Sequence, residues 1–144
     1  MGQHHVASPV MTLRGTIFSD AFEAIGIANY VFDTTAEEQA SAARRLDAMM
    51  AQWDEEGITL GYTATDGDPQ PDVEMTTPAY ADDAIALNLA LRLAPSFGKE
   101  PMPSVKGEAK RAYGLVVAKT LQTPAMHGTR VPIAGGGNWW RRLP

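Results

Sequence analysis

Apolar residues recur at helical spacing in four stretches of the chain. Phe18, Phe22 and Ile25 stand at i, i+4 and i+7, one face of a helix over about 17–25. Gly26 then supplies a left-handed C-terminal cap, and Ile27 packs back against the helix. The second pattern is the clearest. Thr34 and Thr35 precede Glu37 and Glu38, so either threonine opens a capping box. A helix over 36–56 follows and stops at Gly57. Its stripe is Ala36, Ala40, Ala43, Leu46, Met50 and Trp53, with Met49 at the edge and Gln39, Arg45 and Gln52 opposite. The alanines that begin this stripe predict close approach of a neighbouring helix there.

The third stretch has two periods. Ile85, Leu87, Leu89, Leu91 and Leu93 alternate, as in a strand, but the residues among them are mostly alanine, and Leu and Ala are strong helix formers. Thr77-Pro78 gives a helix start and Pro95 a stop, so the sequence predicts a helix over 78–94. On that helix Ile85, Leu89 and Leu93 line one face, and Leu87 and Leu91 nearly the opposite one. A helix apolar on two sides is buried on two sides. In a domain of this size one side is expected to meet another subunit, which makes Leu87 and Leu91 candidate interface residues.

Between the second and third helices lies a polar segment, 61–77, with two prolines, two glycines and four acids, which reads as a loop. It is long for a compact domain, and such loops are often functional or mobile. A short hairpin through 58–63 and 73–76 stays open. The fourth helix follows Pro101 and Pro103, with Ser104 as the expected N-cap. Val105, Ala109, Ala112, Tyr113, Val116 and Leu121 form its stripe, Lys106, Lys110, Arg111 and Lys119 lie off it, and Thr123-Pro124 ends it. The pattern is all-α: four helices, a long polar loop and, from 124 to 144, an extended arm. The implied division is an N-terminal extension over 1–15, a helical domain over 16–123 and the arm.

The arm draws attention through its composition. Three consecutive glycines, Gly135 to Gly137, do not hold regular structure cheaply. Trp139, Trp140, Arg141 and Arg142 follow, the residue types most enriched in interface hot spots. A docking arm accounts for this better than a free end does. Charge adds to the picture. Residues 1–100 carry five Lys or Arg against sixteen Asp or Glu, and residues 101–144 seven against one, within a formal net charge of −5. An acidic body with a basic tail suggests that the tail docks on something acidic.

With 144 residues and a mass of 15.5 kDa the chain has the size of one domain. It contains no cysteine, which excludes disulfides, thiolate zinc sites and a cysteine nucleophile. It has no apolar run of membrane-spanning length, and its first fifteen residues lack the charged and apolar regions of a secretory signal. No phosphate-cradling loop or nucleophile elbow occurs, His4 and His5 lack a third ligand nearby, and no cofactor or metal is implied. The acidic pairs Glu37-Glu38 and Asp82-Asp83 fall in first turns, where the helix dipole favours negative charge. Asp54, Glu55 and Glu56 fall in a last turn, where it does not.

The order of these elements resembles a known family. The segments AFEAIGI, TTAEE, RLDAMMAQWDEEGI, DDAIALNLALRLAPSFG and AKRAY, followed by PIAGGGNWWR, are similar over about 16–142 to head-to-tail adaptor proteins of short-tailed bacteriophages. These are also called tail accessory factors or packaged-DNA stabilisation proteins. The most specific parts are Leu46 through Gly57, Asn88 through Gly98 and the Gly-rich, Trp-Arg tail.

The resemblance implies a non-enzymatic helical subunit, made in the host cytoplasm, that assembles as a ring, usually of twelve, beneath the portal ring. It implies a virion location at the head–tail junction and a role in retaining packaged DNA. Arg130, Val131, Pro132, Ile133, Asn138, Trp139, Trp140, Arg141, Arg142 and Leu143 would form the portal-binding arm. Neighbouring adaptor subunits and a downstream tail or nozzle protein would be the other partners, with no membrane involved. DNA would pass through the ring without sequence-specific binding, and an acidic body suits that passage because it repels phosphate. Two alternatives remain: a cell-wall hydrolase using Glu55, Glu56 or Asp66, and a small helical DNA-binding protein using the basic fourth helix.

Overall fold

A computed structural model describes residues 11–27 and 34–121. Within them the helices are α1 (Arg14–Ala24), α2 (Ala36–Glu55), α3 (Asp82–Leu93) and α4 (Pro103–Thr120). Short 3-10 turns, Ala79–Ala81 and Ala94–Phe97, flank α3. No strand occurs among the described residues. A single antiparallel bridge joins Leu13 and Glu74.

The helices end where local chemistry ends them. At the start of α2, Glu38 N–H donates to the Thr35 hydroxyl at 3.2 Å and Thr35 N–H donates to the Glu38 carboxylate at 2.7 Å, a complete capping box. Gly26 and Gly57 adopt φ of +86° and +90°, values that L side chains resist. The chain then closes α1 by Ile27 N–H to Phe22 O at 2.8 Å, and α2 by Ile58 N–H to Trp53 O at 2.9 Å. Both are Schellman closures, which occupy carbonyls that the helix itself leaves open.

α3 is the centre of the molecule. It packs against α1, α2 and α4. Ile85, Leu89 and Leu93 are fully buried, and so are Ala84, Ala90 and Ala94, whose small side chains let the neighbours approach. The helical assignment therefore prevails over the strand-like alternation, while Leu87 and Leu91 are half-buried. α1 contributes Ile17, Phe18, Ala21 and Phe22 to the core, and α2 contributes Ala42, Ala43, Leu46, Met49, Met50 and Trp53. The Phe22 ring meets Phe97 edge-on, with centroids 5.4 Å apart. α3 and α4 run antiparallel: Tyr80 lies beside Lys119, and Asn88 donates to Ala109 O at 3.2 Å.

Several expectations need correcting. α1 starts at Arg14, three residues before the apolar pattern begins. Ala36 is exposed and Ala40 half-buried, because the buried face of α2 runs through Ala42 and Met49 instead. The residues after Pro78 form a 3-10 turn before α3 proper begins at Asp82. Ser104 does not cap α4. Pro103, which needs no N–H partner and has φ preset, occupies the first helical position, and Met102 is the cap residue. α4 ends at Thr120 and Leu121 is half exposed at 50%. The open hairpin does not form, because residues 71–75 pair with the start of α1: Arg14 N–H to Val73 O at 2.9 Å, and Met75 N–H to Thr12 O at 2.7 Å.

Candidate functional site

The long loop is tied down by two charged side chains. Arg14, 3% exposed, donates from its guanidinium to Thr63 O at 2.8 Å and to the Gln70 side chain at 3.0 Å. On the other side Asp47 of α2 accepts from the Tyr62 hydroxyl at 2.6 Å, Thr65 N–H at 2.9 Å and the Thr65 hydroxyl at 2.7 Å. Burial pushes the Asp47 carboxyl up, but these donors and Gly67 N–H more than offset it, so it is held below its ordinary value. Burial, then the bond to Asp47, push the Tyr62 phenol well up.

Asp47→Asn should destabilise the fold by about 1–3 kcal/mol at neutral pH, since a cluster of donors loses its charged acceptor. A carboxyl held below its unfolded value stabilises above that value, and the contribution disappears as pH falls through the folded one. The gap between wild type and variant in thermal melts should therefore close below about pH 4.

The acids ending α2 have a role that spacing alone does not reveal. Glu56 accepts from the Tyr113 hydroxyl at 2.6 Å and from Gln52 at 2.9 Å, and Arg92 donates to Gln52 at 2.6 Å. The ends of α2, α3 and α4 are strapped together in this way. The Tyr113 bond, then the Gln52 bond, hold the Glu56 carboxyl below its ordinary value, with Arg92 adding in the same direction. A general acid for glycoside cleavage needs the opposite shift. Glu55 and Asp66 are exposed.

One carboxyl does move upward. Asp20 on α1 is raised by burial first and then by Glu23, Asp83 and Asp82. Its charged form is disfavoured in the fold, so Asp20→Asn should leave melting at neutral pH unchanged or raise stability by ~0.5 kcal/mol, the scale of like-charge pairs on helices. Among the described residues no group of three or more His, Asp or Glu is arranged to hold a metal ion, and no helix is long and apolar enough to cross a membrane.

The surface also carries apolar residues that the helical stripes do not use. Tyr80 and Leu115 are 45% and 66% exposed and line a shallow groove of about 260 Å³ with Ala118 and Lys119. Lys119 Nζ lies 4.4 Å from the Tyr80 ring centroid. Leu13 and Val73, 40% and 42% exposed, are neighbours in the strand-like pairing at the start of α1. Sequence reasoning missed all four residues. The signal available for Leu115 is a leucine outside the α4 stripe. Leu13 and Val73 carry none, because only the loop pairing brings them together. The arm residues Arg130, Val131, Pro132, Ile133, Asn138, Trp139, Trp140, Arg141, Arg142 and Leu143 lie outside the described residues.

A small helical subunit with strapped helix ends, a fastened polar loop and exposed apolar flanks has the character of an assembly component. The comparisons define which one. The chain belongs to the P22 tail accessory factor family, whose model matches residues 10–143. It is thus a bacteriophage tail accessory factor, associated with the virion. It is also 26% identical over 131 residues to a protein named peptidoglycan hydrolase gp27 from Acyrthosiphon pisum secondary endosymbiont phage 1, covering 88% of this chain and 82% of that protein.

Proposed function

We propose that this tail accessory factor is a head-to-tail adaptor. Copies assemble as a ring of twelve beneath the portal ring, held by the arm from Arg130 to Leu143. The ring helps retain packaged DNA and offers a platform to a downstream tail or nozzle protein. The observation that carries this reading is the family match across both the helical unit and the tail, to residue 143. Leu87 and Leu91, half-buried on α3, contribute apolar area to contacts between subunits. The acid-rich body lets DNA pass without sequence-specific binding. The helix-turn-helix alternative is poorly served, since residues 94–102 separate α3 from α4 where that motif needs a three- or four-residue turn.

Sedimentation of the purified chain, alone and with portal rings, tests this reading. Alone, the chain should be mostly monomeric and helical by circular dichroism. With portal rings present it should co-sediment with them. A chain that stays in the supernatant would contradict the reading.

The name of the gp27 relative favours a second reading, a wall-cleaving virion protein. Glu55→Gln and Glu56→Gln decide it for these carboxylates. On the adaptor reading, wild type and both variants release no murein fragments, and Glu56→Gln costs about 1 kcal/mol or less, the scale of an exposed hydrogen-bonded contact. Murein release by wild type that either variant abolishes would establish the hydrolase.

A further inference from the structure

The described surface carries two apolar patches of opposite charge. The first is the groove of Tyr80, Leu115 and Ala118, with Lys119 at its rim. Arg111 stands one turn before Leu115 on the same helix, and α4 as a whole carries Lys106, Lys110, Arg111 and Lys119 against one acid, Glu108. The second patch is Leu13 with Val73, set in a loop whose exposed charges are Asp66, Asp68, Asp72 and Glu74 and which has no basic residue. The two patches belong to different flanks. α1 and α4 both pack on α3 but form no extensive face with each other, so the start of α1 and the outer side of α4 take separate sides of it.

We propose that these patches recognise each other between copies of the chain. The Tyr80–Leu115–Lys119 groove of one subunit seats on the Leu13–Val73–Glu74 patch of the next. The inference rests on the ring reading above and assigns the faces that close the ring. Three observations converge on a second copy as the occupant. Each patch exposes large aliphatic or aromatic side chains that a soluble surface gains nothing by showing. Their charges are complementary to each other and not to themselves, so a two-fold pairing would set Lys119 and Arg111 against their own copies. Dissimilar patches on separate flanks form a head-to-tail contact, the type that generates rings when the rotation closes.

The chain has no cysteine, which makes the test direct. Leu115→Cys and Val73→Cys each place a thiol at an exposed position. Complexes with portal rings, their own thiols blocked beforehand, are oxidised and run on denaturing gels without reductant. The double variant should give a ladder of covalent multimers, a mixture of the two single variants should stop at dimers, and each single variant alone should stay monomeric. Dimers from Leu115→Cys alone would mean two-fold pairing and overturn the inference. Monomers throughout, from complexes of normal composition, would overturn it and leave the ring reading standing. That result includes a groove covered by the chain's own residues 122–144. A wild-type chain that fails to join the portal would take down both.

A charge exchange gives a second readout. Lys119→Glu should weaken incorporation about tenfold, and adding Glu74→Lys should restore it. Restoration by Glu74→Lys supports the pairing, and its failure contradicts it.

Discussion

Removing residues 135–144 is expected to leave the helical unit folded and to abolish attachment to the portal ring. The helical core is complete without these residues. Its buried side chains run from α1 to Val116 of α4, so the melting temperature should hold. Attachment should not. The glycines at 135–137 let the backbone lie close to a partner. Trp139 and Trp140 then offer large, stiff apolar area, each worth ~2 kcal/mol or more when buried at the centre of an interface. Arg141 and Arg142 can bond carboxylates in bidentate fashion. Replacing both tryptophans by alanine should mimic the deletion more fully than replacing both arginines, because charges at a rim act more on association rate and salt dependence than on affinity. Co-sedimentation with portal rings measures all three variants. Unchanged binding after the deletion would remove the docking arm from the account.

The second large effect lies inside the subunit. Trp53→Ala should destabilise the fold by about 3–5 kcal/mol, the range for truncating a large aromatic side chain in a core. Trp53 is 4% exposed and its ring lies 5.2 Å from that of Tyr113, in a tilted arrangement. It stands where α2 meets α4, beside the Glu56 strap, so its loss leaves a void between two helices as well as forfeiting apolar burial. Chemical denaturation read by circular dichroism checks this. A variant that unfolds at the same denaturant concentration as wild type would place Trp53 outside the energetic core.

The helices were legible because each has its own punctuation. The capping box at Thr35, the glycine caps at Gly26 and Gly57, and the stripe from Leu46 to Trp53 are local signals, and local geometry decides them. α3 was legible through the propensity of Leu and Ala, although alternation pointed elsewhere. What escaped were pairings between distant residues. Arg14 reads as an ordinary charge before a helix, yet it is buried and holds the loop at Thr63 and Gln70. Asp47 reads as one acid on a polar face, and only the loop's return brings Tyr62 and Thr65 to it. The start of α4 was misplaced by a residue or two because Ser104 and Pro103 compete for the same signal, and proline takes the first helical position.

The functional surfaces divide in the same way. The arm announces itself by composition, since a Gly-rich stretch ending in Trp and Arg is unusual anywhere in a chain. The flanks do not. Tyr80 and Leu115 come together only through the antiparallel packing of α3 and α4, and Leu13 and Val73 only through the pairing of the loop with α1.

The central claim is that the chain is an adaptor subunit matched to the portal. Native mass spectrometry of portal rings, before and after mixing with excess chain, tests it most directly. The account predicts a single product heavier by one 15.5 kDa chain for each portal subunit, with no stable ring formed by the chain alone. Portal rings of unchanged mass would contradict it.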